Sequence, residues 1–307
     1  MSMAGRDGLW AWAVTALLAG AIVACGQGDG ARSDDDDTTG SGASSGSGGA
    51  GGSTSTGGST SSGGSTGDGG GGSAPIQGSD GCGMAQEAGF PCFDVTFGGA
   101  ERQYCVDVRD GYDPSVPQAI VLGLHGCGGS PQGAHNNTDP QVVAGAGRYL
   151  FVYPKALESC WDTVGSVDVP FIEHVLDEVA SSYCVQPDRV FADGMSSGGM
   201  MTSRLLCDGI ALGGAAISLN HSCSLPRTVW LYGGTNDEYY DSYILPGRDG
   251  WIAVNGCAST TQPLPSGPCV EYDGCTHRTI WCSDTQGHVW PSDPYTAQII
   301  DLFDSVP

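Results

Sequence analysis

The stretch Arg189-Val-Phe-Ala-Asp-Gly194-Met195-Ser196-Ser197-Gly198-Gly199 decides the fold. It begins as a strand-like run, Arg189–Ala192, and leads into Met200–Leu206, whose apolar period predicts a helix. Between them stands Gly194-x-Ser196-x-Gly198. A serine on a sharp strand-to-helix turn has a strained backbone, and small neighbours let strand and helix approach each other. Its hydroxyl then projects above a sheet, beside a helix N-terminus that favours negative charge. The frame selects Ser196 over Ser197, which has Met195 where a glycine is required. In a chain with 51 glycines the five-residue pattern arises readily by chance, so its weight comes from the strand before it and the helix after it.

The flanking segments alternate. Phe93–Phe97 and Gln103–Val108 have a period of two around Gly98-Gly99, which predicts a β-hairpin. Gln118–Leu124 and Tyr149–Tyr153 are continuous apolar runs, suited to strands buried on both faces. Phe171–Tyr183 has a helical period. Ala215–Leu219, Thr228–Tyr232 and Thr279–Trp281 read as strands, and Thr296–Phe303 as a last amphipathic helix. This alternation predicts one α/β domain over residues 79–307, with a mostly parallel central sheet and helices on both faces.

A serine hydroxyl needs a base, and the base needs an orienting acid. On a serine turn of this kind the chain order is serine, acid, histidine. His221 follows the nucleophile too soon. His277 lies between Cys275 and Cys282, just before a strand. His288, in Gly287-His288-Val289-Trp290-Pro291, sits after the last strand and before the last helix, where a base leans over Ser196. Asp237 directly follows the strand Thr228–Tyr232, with Glu238, Asp241 and Asp249 as competing acids. An oxyanion needs prepared donors. The expected ones are the Ser197 N–H and the Cys127 N–H, the latter in His125-Gly126-Cys127-Gly128-Gly129-Ser130. The Cys127 thiol itself is expected to be oxidised.

Composition narrows the class further. The 307 residues carry 11 Lys plus Arg against 34 Asp plus Glu, a net charge of −23. Nucleic-acid binding requires a basic footprint, and none exists. Residues 1–25 read as a lipoprotein signal peptide. Arg6 precedes an apolar run, Leu9–Ala24, that ends in Ile22-Val23-Ala24-Cys25, similar to a bacterial lipobox, with Cys25 as the lipidated residue. Residues 26–78 are a Gly/Ser/Thr-rich disordered tether, too poor in apolar side chains for a core. Apart from Cys25, 12 of the 13 cysteines remain, an even number that predicts a disulfide-rich domain in an oxidising compartment. Their connectivity stays open. Cys269, Cys275, His277 and Cys282 lack common zinc spacing, and Asp34–Asp37 lacks the spaced ligands of a calcium loop. No metal or cofactor is expected.

Several motifs recur in order: Leu124-His-Gly-Cys-Gly-Gly, Cys160-Trp161-Asp162, Asp168-Val-x-Phe-Ile, Asp188-Arg-Val-Phe, Gly-Met-Ser-Ser-Gly-Gly-Met-Met, Gly234-Thr-x-Asp237, Trp251 with Asn255-Gly-Cys, Tyr272-x-Gly-Cys275, Trp281-Cys282 and Gly287-His-x-Trp-Pro291. With these the chain resembles the secreted α/β-hydrolase esterases of the polyhydroxybutyrate depolymerase and feruloyl esterase type, from about Cys92 to Phe303. The resemblance implies a cofactor-free serine esterase with the triad Ser196, Asp237 and His288. The implied substrates are feruloyl esters of plant polysaccharide, acetylated xylan or bacterial polyester. Ser197 replaces the family's usual alanine, the acid loop has Gly where a His often stands, and Glu238-Tyr239-Tyr240 replaces a more apolar stretch. Trp161, Tyr239, Tyr240 and Trp290 are expected at the substrate site, with core or rim packing as the competing use of the same rings. The expected location is the bacterial cell envelope or surface, with membrane contact through the lipid anchor only. The alternative from another class is a non-catalytic surface-binding lipoprotein on a hydrolase fold. An acyltransferase or peptidase on that fold is a third reading.

Overall fold

The computed structural model describes residues 78–138, 148–217, 224–291 and 295–307. The expected signal peptide, Cys25, almost all of the expected tether and His221 lie outside them. Ten strands form one sheet in the order β1-β2-β4-β3-β5-β6-β7-β10-β9-β8. The strands are β1 Cys92–Phe97, β2 Ala100–Asp107, β3 Gln118–Leu124, β4 Tyr149–Pro154, β5 Val185–Met195, β6 Gly213–Ile217, β7 Thr228–Gly234, β8 Thr261–Pro263, β9 Cys269–Tyr272 and β10 Thr279–Asp284. From β4 across to β10 all pairings are parallel, and both edges are antiparallel. Every residue of β3 and β7 is buried, as expected for strands covered on both faces.

The hairpin β1–β2 turns at Gly98 and Gly99, both with positive φ, the type of turn whose twist matches the flanking strands. The helices are α1 Pro131–Thr138, α2 Asp168–Ser182, α3 Ser197–Cys207, α4 Leu245–Val254 and α5 Tyr295–Asp304, with a π-helical turn at Tyr240–Ile244. Neighbouring residues of β5 show the two covered faces. Phe191 stacks on Phe303 of α5, with ring centroids 4.6 Å apart. On the other face, Gly194 meets the first turn of α3. Among the described residues no helix is long and apolar enough to cross a membrane.

All eleven described cysteines are disulfide-bonded. Cys92–Cys105 and Cys269–Cys282 each link residues directly opposite in neighbouring antiparallel strands. Cys82–Cys184, Cys127–Cys160 and Cys257–Cys275 tie loops to the sheet or to each other. Such a density of bridges fits an oxidising, extracellular setting.

Candidate active site

β5 runs straight into the turn at Ser196. Ser196 has φ +58° and ψ −121°, and it is the one non-glycine residue with positive φ among the described residues. Such a backbone costs about 1–3 kcal/mol and persists only where its surroundings over-determine it. Bare glycine backbone does that here. A Cβ on Gly194 would lie 2.4 Å from the Gly198 carbonyl, and one on Gly198 would lie 2.0 Å from the Leu124 oxygen. The end of β3, the end of β5 and the first turn of α3 therefore meet with no side chain between them. Ser197 is the first residue of α3, so its N–H has no intrahelical acceptor and stands at the positive helix end.

Asp237 and His288 stand on adjacent loops. β7 and β10 pair in parallel, which puts the loops at their ends side by side. The Asn236 N–H donates to the Gln286 carbonyl at 3.1 Å, and the Asp237 N–H donates to Gly234 at 3.0 Å. The Asp237 carboxylate is buried. It accepts the Tyr239 N–H at 2.8 Å and the His288 Nδ1–H at 2.6 Å. With Nδ1–H committed to Asp237, His288 Nε2 keeps its lone pair. Nε2 is itself buried and makes no hydrogen bond among the described residues. The competing acids Glu238, Asp241 and Asp249 are exposed, as is His277.

The loop after β3 is held from below by His125. Its Nδ1–H donates to the Gly126 carbonyl at 2.7 Å, and its Nε2 accepts the Ala156 N–H at 3.1 Å. An acceptor on one side and a donor on the other fix a single neutral tautomer. Burial, the largest cause, pushes its pKa below the ordinary histidine value. Gly126 approaches Ser196 closely, since a Cβ there would lie 3.5 Å from the Ser196 Cβ. The Cys127–Cys160 disulfide joins this loop to the segment after β4.

Trp161 in that segment donates its ring N–H to the His125 carbonyl at 2.8 Å and its backbone N–H to the Ser197 hydroxyl at 2.9 Å. Asp168, buried at the start of α2, accepts the Leu157 and Asp162 N–H groups at 3.1 and 2.8 Å, and pairs with the buried Arg102 at 2.7 Å. Asp193, beside Gly194, is fully buried, and burial alone drives its carboxyl well above the usual carboxylate range.

A cavity of about 330 Å³ opens at Ser196, lined by Cys127, Cys160, Trp161, Ser197, Met200, Tyr239 and Tyr243. Of the four aromatics expected at the substrate, Trp161 and Tyr239 line it. Tyr240 and Trp290 stand elsewhere: Tyr240 packs over Gly233 beside Ser283, and Trp290 packs against Trp230 of the core. Tyr243 and Met200 were not singled out from sequence. Tyr243 carried a signal, its spacing of four residues from Tyr239. Two other clefts, one lined by Arg102 and Lys155 and one by Asp107 and His135, include neither Ser196 nor His288.

No family model matches the chain. It is 30% identical over 210 residues to feruloyl esterase C of Emericella nidulans, covering 61% of this chain and 76% of that protein. It is 32% identical over 210 residues to a probable feruloyl esterase C of Aspergillus niger, with the same coverage. Among solved structures, an acetyl xylan esterase from Aspergillus awamori superposes with a TM-score of 0.54 at 16% identity, covering 70% of this chain and 99% of that one. That likeness speaks to the α/β-hydrolase fold, while the sequence relatives speak to family. The chain belongs to the feruloyl esterase family and is a serine carboxylic ester hydrolase on the α/β-hydrolase fold.

Proposed function

We propose that Ser196, His288 and Asp237 are the catalytic triad of an esterase acting on feruloyl-type aromatic esters of plant polysaccharide. The observation that carries this reading is the buried Asp237–His288 hydrogen bond of 2.6 Å, together with a strained Ser196 at the mouth of an apolar cavity. Ser196 Oγ attacks the ester carbonyl while His288 Nε2 takes its proton. Asp237 holds the imidazole tautomer and stabilises the imidazolium. The developing oxyanion sits against the Ser197 and Cys127 N–H groups, each such donor being worth about 10²–10³ in kcat. The imidazolium then protonates the leaving sugar alcohol. Water, deprotonated by the same nitrogen, releases the acid from the acyl-enzyme.

In this reading residues 79–307 are the esterase domain, residues 26–78 a tether, and Cys25 a lipidated anchor at the cell surface. Acetylated xylan and polyhydroxybutyrate, the other ester classes the resemblance implies, are the comparison arms of the test. Ser196→Ala should abolish turnover of methyl ferulate while leaving the circular dichroism spectrum unchanged. A variant that still turns over overturns the triad, and a wild type that prefers acetylated xylan or polyhydroxybutyrate overturns the substrate class.

A further inference from the structure

The acid loop does more than carry Asp237. Directly after it the chain enters the π-helical turn Tyr240–Ile244, in which the Tyr239 carbonyl accepts both the Tyr243 N–H at 2.9 Å and the Ile244 N–H at 3.2 Å. Such turns are rare and concentrate at functional sites. One side of the turn is fixed to the sheet. Ile244 is buried, and a Cβ on Gly233 would lie 2.6 Å from its methyl group and 3.2 Å from the Tyr240 ring. The other side presents Tyr239 and Tyr243, each more than a third exposed, with rings edge-to-face at 5.9 Å. Both rings line the cavity that holds Ser196. Tyr239 also stands edge-on to His288, at 5.1 Å.

These contacts form a chain from the base to the outer cavity wall. His288 touches Tyr239, Tyr239 touches Tyr243, and Trp161 and Met200 line the same cavity. The geometry points to Tyr243 as a specificity-determining residue that recognises a planar aromatic acyl group, with Tyr239 as the residue that ties this recognition to the position of His288. This inference rests on the proposed aromatic-ester activity and deepens it. Aromatic rings favour offset or edge-to-face partners with centroids about 4.5–7 Å apart, and the Tyr239–Tyr243 corner offers both a ring face and a ring edge to an entering acyl ring. An acetyl group has no ring to engage that corner. Recognition by Tyr243 therefore separates aromatic from acetyl esters.

The test compares kcat/KM for methyl ferulate and for ethyl acetate in the full chain and in its Tyr243→Ala, Tyr243→Leu and Tyr243→Phe variants. Tyr243→Ala should lower the ferulate-to-acetate ratio about tenfold, mostly through KM for the ferulate, as expected for one lost aromatic contact. Tyr243→Leu, which keeps bulk without a ring, should lower it in the same direction. It also guards against poor folding of the alanine variant. Tyr243→Phe should restore the wild-type ratio to within about twofold. A ratio unmoved in the alanine and leucine variants, or one lowered as far by phenylalanine, overturns the assignment to Tyr243. A wild type that cleaves ethyl acetate but not methyl ferulate instead overturns the aromatic-ester reading beneath it.

Discussion

Replacing Gly198 by alanine tests whether bare backbone contact builds this site. The new Cβ would start 2.0 Å from the Leu124 oxygen and 2.7 Å from the His125 oxygen. Carbon–oxygen contact in proteins settles beyond 3 Å, so the first turn of α3 and the end of β3 must part by about 1 Å or more. Both neighbours are main-chain atoms, so no rotamer change relieves the overlap. The shift moves Ser196 and the Ser197 N–H relative to the loop of Cys127. A misplacement of about 1 Å costs on the order of 10²-fold in rate. Overpacking of this kind costs about 1–3 kcal/mol of stability, and each 1 kcal/mol lowers Tm by about 2–4 °C in a domain of this size. Gly250 in α4 supplies the control, because a Cβ there meets nothing within 4 Å. Gly250→Ala should be neutral or raise Tm, since alanine is favoured over glycine in helices by about 1 kcal/mol. The assay is kcat on methyl ferulate with thermal melts of both variants. A Gly198→Ala protein with wild-type kcat and Tm would refute the argument that the glycine contacts position the nucleophile.

His125 gives a pH dependence whose sign follows from its neutral burial. Its folded pKa is depressed, so the unfolded chain takes up a proton first, and stability falls as pH drops below about 6.5 and levels off below the folded pKa. Thermal melts from neutral to mildly acidic pH should show a steeper loss in the wild type than in His125→Asn, and equal slopes in the two proteins would rule this out. For the proposed anchor, mass spectrometry should find Cys25 as an acylated first residue and fractionation should find the protein with membranes. Cys25→Ser should leave the precursor uncleaved there, whereas a wild-type mature chain that begins elsewhere without acyl mass ends the anchor proposal.

The parts of this molecule that were legible in the sequence are those where one local pattern has one structural outcome. Gln118–Leu124 has no polar face to offer solvent, and β3 occupies that range. Gly98-Gly99 permits the left-handed turn, and the hairpin pairs Phe97 with Ala100 across it. The serine turn was legible because its glycines are demanded by close approach, which any sequence with that geometry must respect. Elements without such a pattern stayed hidden. The segment Pro131–Thr138 has no apolar stripe, and α4 contains Pro246, Gly247 and Gly250, so neither announces a helix. β8 and β9 are short and partly exposed, and their place beside β10 is reinforced by the Cys269–Cys282 bridge, a pairing no spacing rule gives.

The aromatics show the same divide at the level of the site. Sequence marks Tyr239, Tyr240 and Trp290 as ring-bearing residues near the acid and the base, but it does not give their orientation. The π-helical turn directs Tyr239 and Tyr243 outward to the cavity and Tyr240 inward over Gly233, whereas Trp290 finds Trp230. Asp193 is harder still, because a carboxyl in the middle of a parallel strand contradicts the pattern that identifies the strand, and its burial there pushes the carboxyl well above the usual carboxylate range. Ser197, by contrast, has a use that explains its presence in place of a smaller residue. Its hydroxyl accepts the Trp161 N–H, so one residue supplies both an N–H beside Ser196 and a link to Trp161, which lines the same cavity. The start of α3 and the Trp161 segment are thus fixed to the same residue, and a shift in either is felt by both.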